Sequence, residues 1–231
     1  ASRGHEVSQQ IAPPLQRFSI RTPGSEELAQ QVEIHLAPYA EGKFKLVCGG
    51  RFTIGPRAGQ PCVAKTFKAR HGSFDEQLAG EYRVIRCAQA LVEAWNNAGV
   101  VQQPVCVLAP QVMTSDDGTK ERRMVEPFIP GYRKHNNNNG YVMPSFDPWN
   151  EVMQAVSHFS YHISDGARLL CDVQGGPAKN VYVLTDPAVH SDGNHYGETD
   201  LGKPGMQRFF ATHRCNKFCR SDWKKPVPVS K

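Results

Sequence analysis

Two aspartates and a glutamine stand out in residues 169–187, LLCDVQGGPAKNVYVLTDP. Asp172 and Gln174 lie at the end of one apolar run, 168–173, and Asp186 lies just past a second, 181–184. Both runs are short and read as buried strands, and the Gly-Gly-Pro between them reads as a turn. A hairpin-like unit of this kind would bring two carboxylates and one amide oxygen to a single mouth. Hard cations such as Mg²⁺ prefer oxygen ligands and often arrive with substrate phosphates. The plainer alternative is that both aspartates are turn and cap residues.

A second chemical signal stands near the end of the sequence, as His213-x-Cys215-x3-Cys219. Cys215 and Cys219 are four apart, so a helix could present both sulfurs on one side. His213 and Cys215 are two apart, which on a straight helix turns them roughly 200° from each other. Joint ligation therefore requires a helix to end between them. A structural zinc takes four N/S ligands; three are here, and His158, His162, His190 or His195 could supply the fourth. The alternative is that these cysteines only fill a core.

The elements that would carry a phosphate site come earlier. Residues 42–67 read as an antiparallel sheet of about three strands, with Gly49, Gly50 and Gly55 in turns that could approach a phosphate. Lys65 interrupts the apolar strand at 61–67. Facing inward it needs a partner; facing outward it is an edge lysine. Leu78, Tyr82, Ile85, Ala88, Val92 and Trp95 recur at helical spacing over 74–96. Glu81 flanks that stripe and could pair with Lys65, as strand lysines and helix glutamates do in phosphotransferases; otherwise it lies on a solvated face. Strands follow at 105–113 and 123–129, the second ending in Pro-Gly, as suits a crossing between lobes. Asp147 caps a helix with Pro148 at its first position. KHNNNNG, 134–140, has the composition of a low-complexity insert. A long polar loop runs over 190–202, and Gly205 opens a last helix. At the other end, residues 1–24 read as a loose lead-in, and Ser25 could cap a short helix with Leu28, Val32 and Leu36 on one face.

Composition sets the class. The 231 residues are 39% hydrophobic and 21% charged, as in ordinary soluble domains. There is no apolar run of transmembrane length, and the start, ASRGHEVSQQ, has no signal-peptide core. Seven scattered cysteines, an odd number, argue against a disulfide framework and for a reducing, cytoplasmic setting. A net charge of +5 permits anionic ligands without demanding nucleic acid.

Taken together, VAK (63–65), VEPFIPGYRKHNNNNG (125–140), SHFSY (157–161), CDVQGG (171–176), LTDP (184–187), YGETDLGKPG (196–205) and THRCNKFC (212–219) resemble the alpha-kinase family in family order. The resemblance covers about residues 36–220. It implies a two-lobed α+β, protein-kinase-like fold, with a sheet-rich N-lobe at about 36–126 and a zinc-stabilised C-lobe at about 131–220. An extension, 1–35, and a tail, 221–231, flank it. It implies an atypical serine/threonine protein kinase that uses ATP and Mg²⁺ on a protein substrate, with no nucleic acid partner and no membrane segment in this chain. By position, the resemblance makes Lys65 a contact to the nucleotide phosphates, Glu126 and Phe128 the adenine region, Asp172 the catalytic aspartate, and Gln174 and Asp186 the magnesium ligands. Glu81 falls at the helix carboxylate. His158 becomes the fourth zinc ligand beside His213, Cys215 and Cys219. The Asn tract becomes a family feature.

Two departures stand out. Lys45 takes the place of the family's phosphate-binding arginine, keeping the charge and losing the bidentate fork. The glycine-rich substrate loop keeps Gly197, Gly202 and Gly205, but Thr199 and Asp200 stand where the family has glycine and asparagine. An alternative function is therefore an ATP-binding, catalytically weak kinase-like scaffold.

Overall fold

Alternating buried and exposed positions build the first of two units, which takes its described residues from 1–70 and 110–128; the second takes its own from 71–109 and 129–231. The computed structural model describes residues 14–22, 25–68, 72–144 and 147–227, with backbone alone at 21–22 and 25–29. The first unit contains β1 (Leu15–Thr22), β2 (Ser25–His35), β3 (Ala40–Glu41), β4 (Lys45–Ile54), β5 (Pro61–Phe67), β7 (Gln111–Ser115) and β8 (Arg122–Pro127). They form one sheet in the order β2-β1-β7-β8-β5-β4-β3, and β2 also pairs with β4. That extra pairing closes six antiparallel strands into a ring, which leaves less open strand edge for another chain to join. One edge of β4 is shared, with β3 beside Leu46 and Val47 and β2 beside Gly50–Ile54.

Three expectations change here. β1 is a strand, where a loose lead-in was expected. β2 is a strand, where a helix was expected from Ser25 (the side chain of Leu28 lies outside the described residues). Val32 and Ile34 are both fully buried with Glu33 between them, a spacing of two that the helical reading passed over. Gly49 and Gly50 lie within β4 and not in a turn. A Cβ on Gly50 would sit 2.4 Å from the Glu33 carbonyl oxygen, so glycine is what lets β2 and β4 close the ring. Phe18, Val32, Ile34, Phe52, Ala64, Met113 and Val125 fill the core.

The second unit starts with α1 (Phe74–Asn97). Ser73 caps it in a capping box: its Oγ accepts from Glu76 N at 3.3 Å and its own N donates to Glu76 Oε2 at 2.8 Å. β6 (Val105–Val107) follows. The strand expected over 105–113 is thus two strands, β6 and β7, which belong to different sheets and break at 108–110, ahead of Gln111. Next come β9 (Arg133–Lys134), α2 (Pro148–Ile163), β10 (Arg168–Cys171), β11 (Gln174–Ala178), β12 (Val181–Leu184), β13 (Ala188–Ser191) and α3 (Gly202–Thr212). Asp147 Oδ1 caps α2 by accepting from Trp149 N at 3.0 Å. α3 begins three residues before the expected Gly205.

β6-β12-β11-β9 form one sheet and β10-β13 another. Gly-Gly-Pro is therefore not a turn. It lies in β11, which pairs with β12 from Gly175↔Leu184 to Ala178↔Val181. The two strands run so close that a Cβ on Gly175 would fall 1.8 Å from the Val183 carbonyl oxygen. Trp95, Val156, Phe159, Leu170, Tyr182, Leu184 and Trp223 centre the main core of this unit. Among the described residues no helix is long and apolar enough to cross a membrane.

Gly175→Ala is expected to destabilise the second unit by about 3 kcal/mol through overpacking against backbone. All three tryptophans, Trp95, Trp149 and Trp223, belong to this unit, so urea unfolding followed by tryptophan fluorescence reads it directly. An unchanged midpoint would contradict the packing of β11 on β12.

Candidate active site and metal cluster

Lys65 and Glu126 lie on neighbouring strands of the first unit, where Lys65 is opposite Met124 and Glu126 opposite Val63, so the two are diagonal neighbours two residues out of register. Both are buried, at 4% and 3% exposure, and Lys65 Nζ meets Glu126 Oε2 at 2.6 Å. Removing either partner would take this pairing from a buried charge, which costs far more than the pair contributes. Lys45, at the start of β4, lies over the Phe67 ring at 5.8 Å. Phe128 is half exposed and its N–H donates to the Pro61 carbonyl at 3.1 Å. Glu81 is half-buried on α1, in the second unit.

Asp172, Gln174 and Asp186 come together in the second unit. Gln174 Nε2 donates to the Asp186 carbonyl oxygen at 2.9 Å, and Tyr132 Oη donates to Gln174 Oε1 at 2.7 Å. The amide oxygen and the two aspartates are thus held at one end of the β11–β12 hairpin. Both aspartates have left-handed backbone, at φ 53° and 48°. Asp tolerates this conformation better than most residues, and such strain gathers at sites where a side chain must be aimed. Lys134 Nζ lies 2.5 Å from Asp172 Oδ1. Asn136, 1% exposed, accepts from Val173 N at 2.9 Å and donates to Gln154 Oε1 at 3.2 Å and Ser157 Oγ at 3.0 Å. It therefore fastens the backbone between Asp172 and Gln174 to α2.

α3 ends at Thr212, and His213 takes extended backbone with φ −61° and ψ 130°. The helix thus ends just before His213, one residue earlier than the break expected between His213 and Cys215, and frees both from helical spacing. One ligand atom from each of His158, His213, Cys215 and Cys219 lies within 4.8 Å of all the others. Cys215 Sγ is 3.7 Å from His158 Nδ1, and Cys219 Sγ is 3.7 Å from His213 Nε2. Tetrahedral zinc at ordinary bond lengths would set sulfur and nitrogen about 3.5 Å apart, so the donor set fits that ion. Burial holds both imidazoles neutral, at pKa about 4, and raises the Cys219 thiol to about 11. Of the other histidines considered, His190 is committed to the Asn138 carbonyl and Leu201 N, and His162 to Lys224 N. All seven cysteines are free.

The loop after β13 folds around a carboxylate. Asp200, 5% exposed, accepts from Ser191 N at 2.9 Å, Ser191 Oγ at 2.6 Å, Tyr196 N at 3.2 Å and Gly202 N at 2.9 Å. Burial pushes its pKa up, but the donors prevail and hold it below the ordinary value. A Cβ on Gly205 would meet the His190 ring at 2.6 Å, and Gly202 has φ 62°. Asp200, Gly202 and Gly205 thus have packing duties, while Gly197 faces open space.

These features can be set beside known proteins. The profile of the alpha-kinase family matches residues 40–219. The chain belongs to the alpha-kinase family. Myosin heavy chain kinase C of Dictyostelium discoideum is 45% identical over 108 residues, which is 46% of this chain and 13% of that protein. This chain thus matches only a small part of its curated relatives' length. A solved alpha-kinase from Entamoeba histolytica shares the fold at TM-score 0.69 and 23% identity, covering 90% of this chain and 91% of its own. The alpha-kinase domain of myosin heavy chain kinase A, in complex with AMP, does so at TM-score 0.66 and 20% identity, covering 89% and 96%. The fold is the two-lobed α+β alpha-kinase fold, and the family is one of protein kinases.

In this alpha-kinase domain the sequence reading missed Lys134, Tyr132 and Asn136. All three lie in or beside the 131–140 tract, whose composition resembles a linker. The only signal for Lys134 was a basic residue flanking that tract.

Lys65→Met is expected to destabilise the first unit by about 3–5 kcal/mol by removing the cation paired with buried Glu126. Adding Glu126→Gln should recover part of that loss in thermal unfolding followed by circular dichroism. A neutral Lys65→Met would show that the pair is not buried as described. Asp200→Ala should remove about 3 kcal/mol by orphaning buried donors. Because the folded Asp200 pKa is depressed, its contribution is full above the unfolded value of about 4 and fades as pH falls through the folded one. Wild-type stability should therefore approach that of the variant at low pH; a constant gap from pH 7 down to about 2 contradicts the bonding described.

Proposed function

We propose that this alpha-kinase domain transfers the γ-phosphate of ATP to serine or threonine hydroxyls of a protein substrate. The observation that carries the reading is the assembly at Asp172: an acidic side chain aimed by strained backbone, fastened through Asn136, and set beside the Gln174–Asp186 link. The AMP complex of a neighbour with the same fold supports an adenine nucleotide as ligand.

In this reading Asp172 orients the acceptor hydroxyl and takes its proton as transfer proceeds, and Lys134 holds the carboxylate in position. Lys65 and Lys45 supply positive charge to the phosphates, and Glu126 keeps Lys65 extended. Backbone around Glu126–Phe128 offers polar groups to the adenine edge. Gln174 Oε1 and the Asp186 carboxylate are the oxygens that would hold magnesium, which would supply charge neutralisation at phosphate oxygens. Phosphoryl transfer needs little covalent help, so positioning and charge dominate. His158, His213, Cys215 and Cys219 would hold a structural zinc, because four protein ligands leave no open position for substrate. Gly197 marks the exposed part of the loop that resembles the family's substrate loop.

Asp172 is partly exposed and pairs with the partly exposed Lys134, so Asp172→Ala is a cleaner probe of chemistry than a change at Lys65. The zinc-loaded variant should bind ATP normally and lose transfer to a basic protein acceptor by about 10²–10⁴-fold. A folded wild type that binds Mg-ATP without transferring phosphate would instead identify a nucleotide-binding scaffold.

A further inference from the structure

Residues 220–227 follow the last position matched by the family, yet they are not a loose tail. Trp223 is 5% exposed and belongs to the main core of the second unit. Its ring meets Phe159 edge-on at 5.3 Å, Trp95 at 6.3 Å and His158 at 5.4 Å, and stacks on His162 at 6.0 Å. His158 and His162 are four apart on α2, so one helix face presents both rings to this tryptophan. Lys224 then grips the same helix. Its N–H donates to His162 Nδ1 at 3.3 Å, and its ammonium pairs with Asp165.

The third Lys224 contact bears on the metal cluster. His158 Nε2 lies 3.1 Å from the Lys224 carbonyl oxygen. A carbonyl can only accept, so Nε2 carries the proton. Nδ1 is then the lone-pair nitrogen, and it is the one facing Cys215 Sγ. A ligand imidazole whose other nitrogen donates to a backbone carbonyl is oriented and made more basic by that bond. The strap therefore selects the tautomer that the cluster needs.

We propose that residues 220–227 form a positioning strap for the metal cluster, with Trp223 as anchor and the Lys224 carbonyl as tautomer lock, so that strap docking and metal occupancy reinforce each other. The inference rests on the zinc reading above. Linkage is reciprocal: whatever free energy the docked strap adds to zinc binding, zinc adds to docking. Neither Trp223 nor His162 belongs to the four-residue cluster, and neither is assigned a contact to substrate.

The test measures zinc affinity of the full chain by competition with a chromogenic chelator, together with the visible spectrum of the Co²⁺-substituted protein. Trp223→Ala is expected to weaken zinc about 10–100-fold, the range for lost outer-shell partners. Trp223→Phe, which restores an aromatic anchor, should recover most of it. If Trp223→Ala does not fold, His162→Ala, which removes both the stacking partner and the Lys224 N–H acceptor, should weaken zinc in the same direction. The Co²⁺ spectrum should remain four-coordinate in each variant. Unchanged zinc affinity in the folded variants overturns the strap and leaves the zinc reading standing. A wild type that binds neither zinc nor Co²⁺ overturns the zinc reading and the strap with it.

Discussion

The second unit depends on one buried amide. Asn136 uses its carbonyl oxygen to hold the backbone N–H of Val173 and its NH₂ to hold Gln154 and Ser157 on α2. An amide is the only neutral side chain that can accept at one atom and donate twice at the other. A hydrophobic replacement would leave the Val173 N–H and two α2 oxygens without this partner in a site with 1% exposure. The positions of Asp172 and Gln174, one residue either side of Val173, follow from that clamp. Ser157 is also next to His158, so the helix that receives the clamp carries a metal-cluster imidazole on the adjoining face. A shift of α2 would be felt in both places.

The first unit depends on a different compromise. A closed ring of strands has an interior that favours apolar side chains, and most of the core obeys that rule. Lys65 and Glu126 are buried in the same unit and tolerated because each neutralises the other at 2.6 Å. Replacing such a pair with hydrocarbon often costs nothing in stability. Its retention therefore calls for a reason other than stability. The phosphate-binding role proposed for Lys65 would be such a reason.

What could be read from sequence divides along physical lines. α1 and α2 were legible because their signals are local: Ser73 with Glu76, and Asp147 with Pro148, lie within a few residues of the groups they satisfy. β5 and β12 were legible as short apolar runs. β1 and β2 were not, because the ring that closes through β2–β4 and β1–β7 brings together residues far apart in sequence. Gly175 and Gly176 looked like a turn because glycine usually marks one; here glycine is demanded by the approach of Val183 and of the Pro130 carbonyl. The site followed the same division. Spacing exposed Asp172, Gln174 and Asp186 and three of the four cluster residues, but His158 was selected from four candidate histidines only through family resemblance. Lys134, Tyr132 and Trp223 find their partners across tertiary contacts that no spacing encodes.

The Asn tract shows how composition can hide a specific arrangement. Four identical residues in a row would ordinarily signal that no side chain matters individually. Here each has a different task. Asn136 clamps the backbone at Val173, and the Asn137 oxygen accepts from the N–H groups of Asn139 and Tyr141 to form a turn. Asn138 donates to the Thr199 carbonyl, tying the tract to the 192–201 loop. Asn139 accepts from Arg208 on α3. Gly140 then passes so close to the Arg208 backbone that a Cβ would fall 2.6 Å from its oxygen. A short segment without long side chains thus links α2, the strand end at Asp172, the loop around Asp200 and α3. Asparagine suits it because it tolerates tight turns and offers donor and acceptor at short reach. The same residue type repeated four times therefore carries four distinct constraints, and the repeat arises from the chemistry common to them.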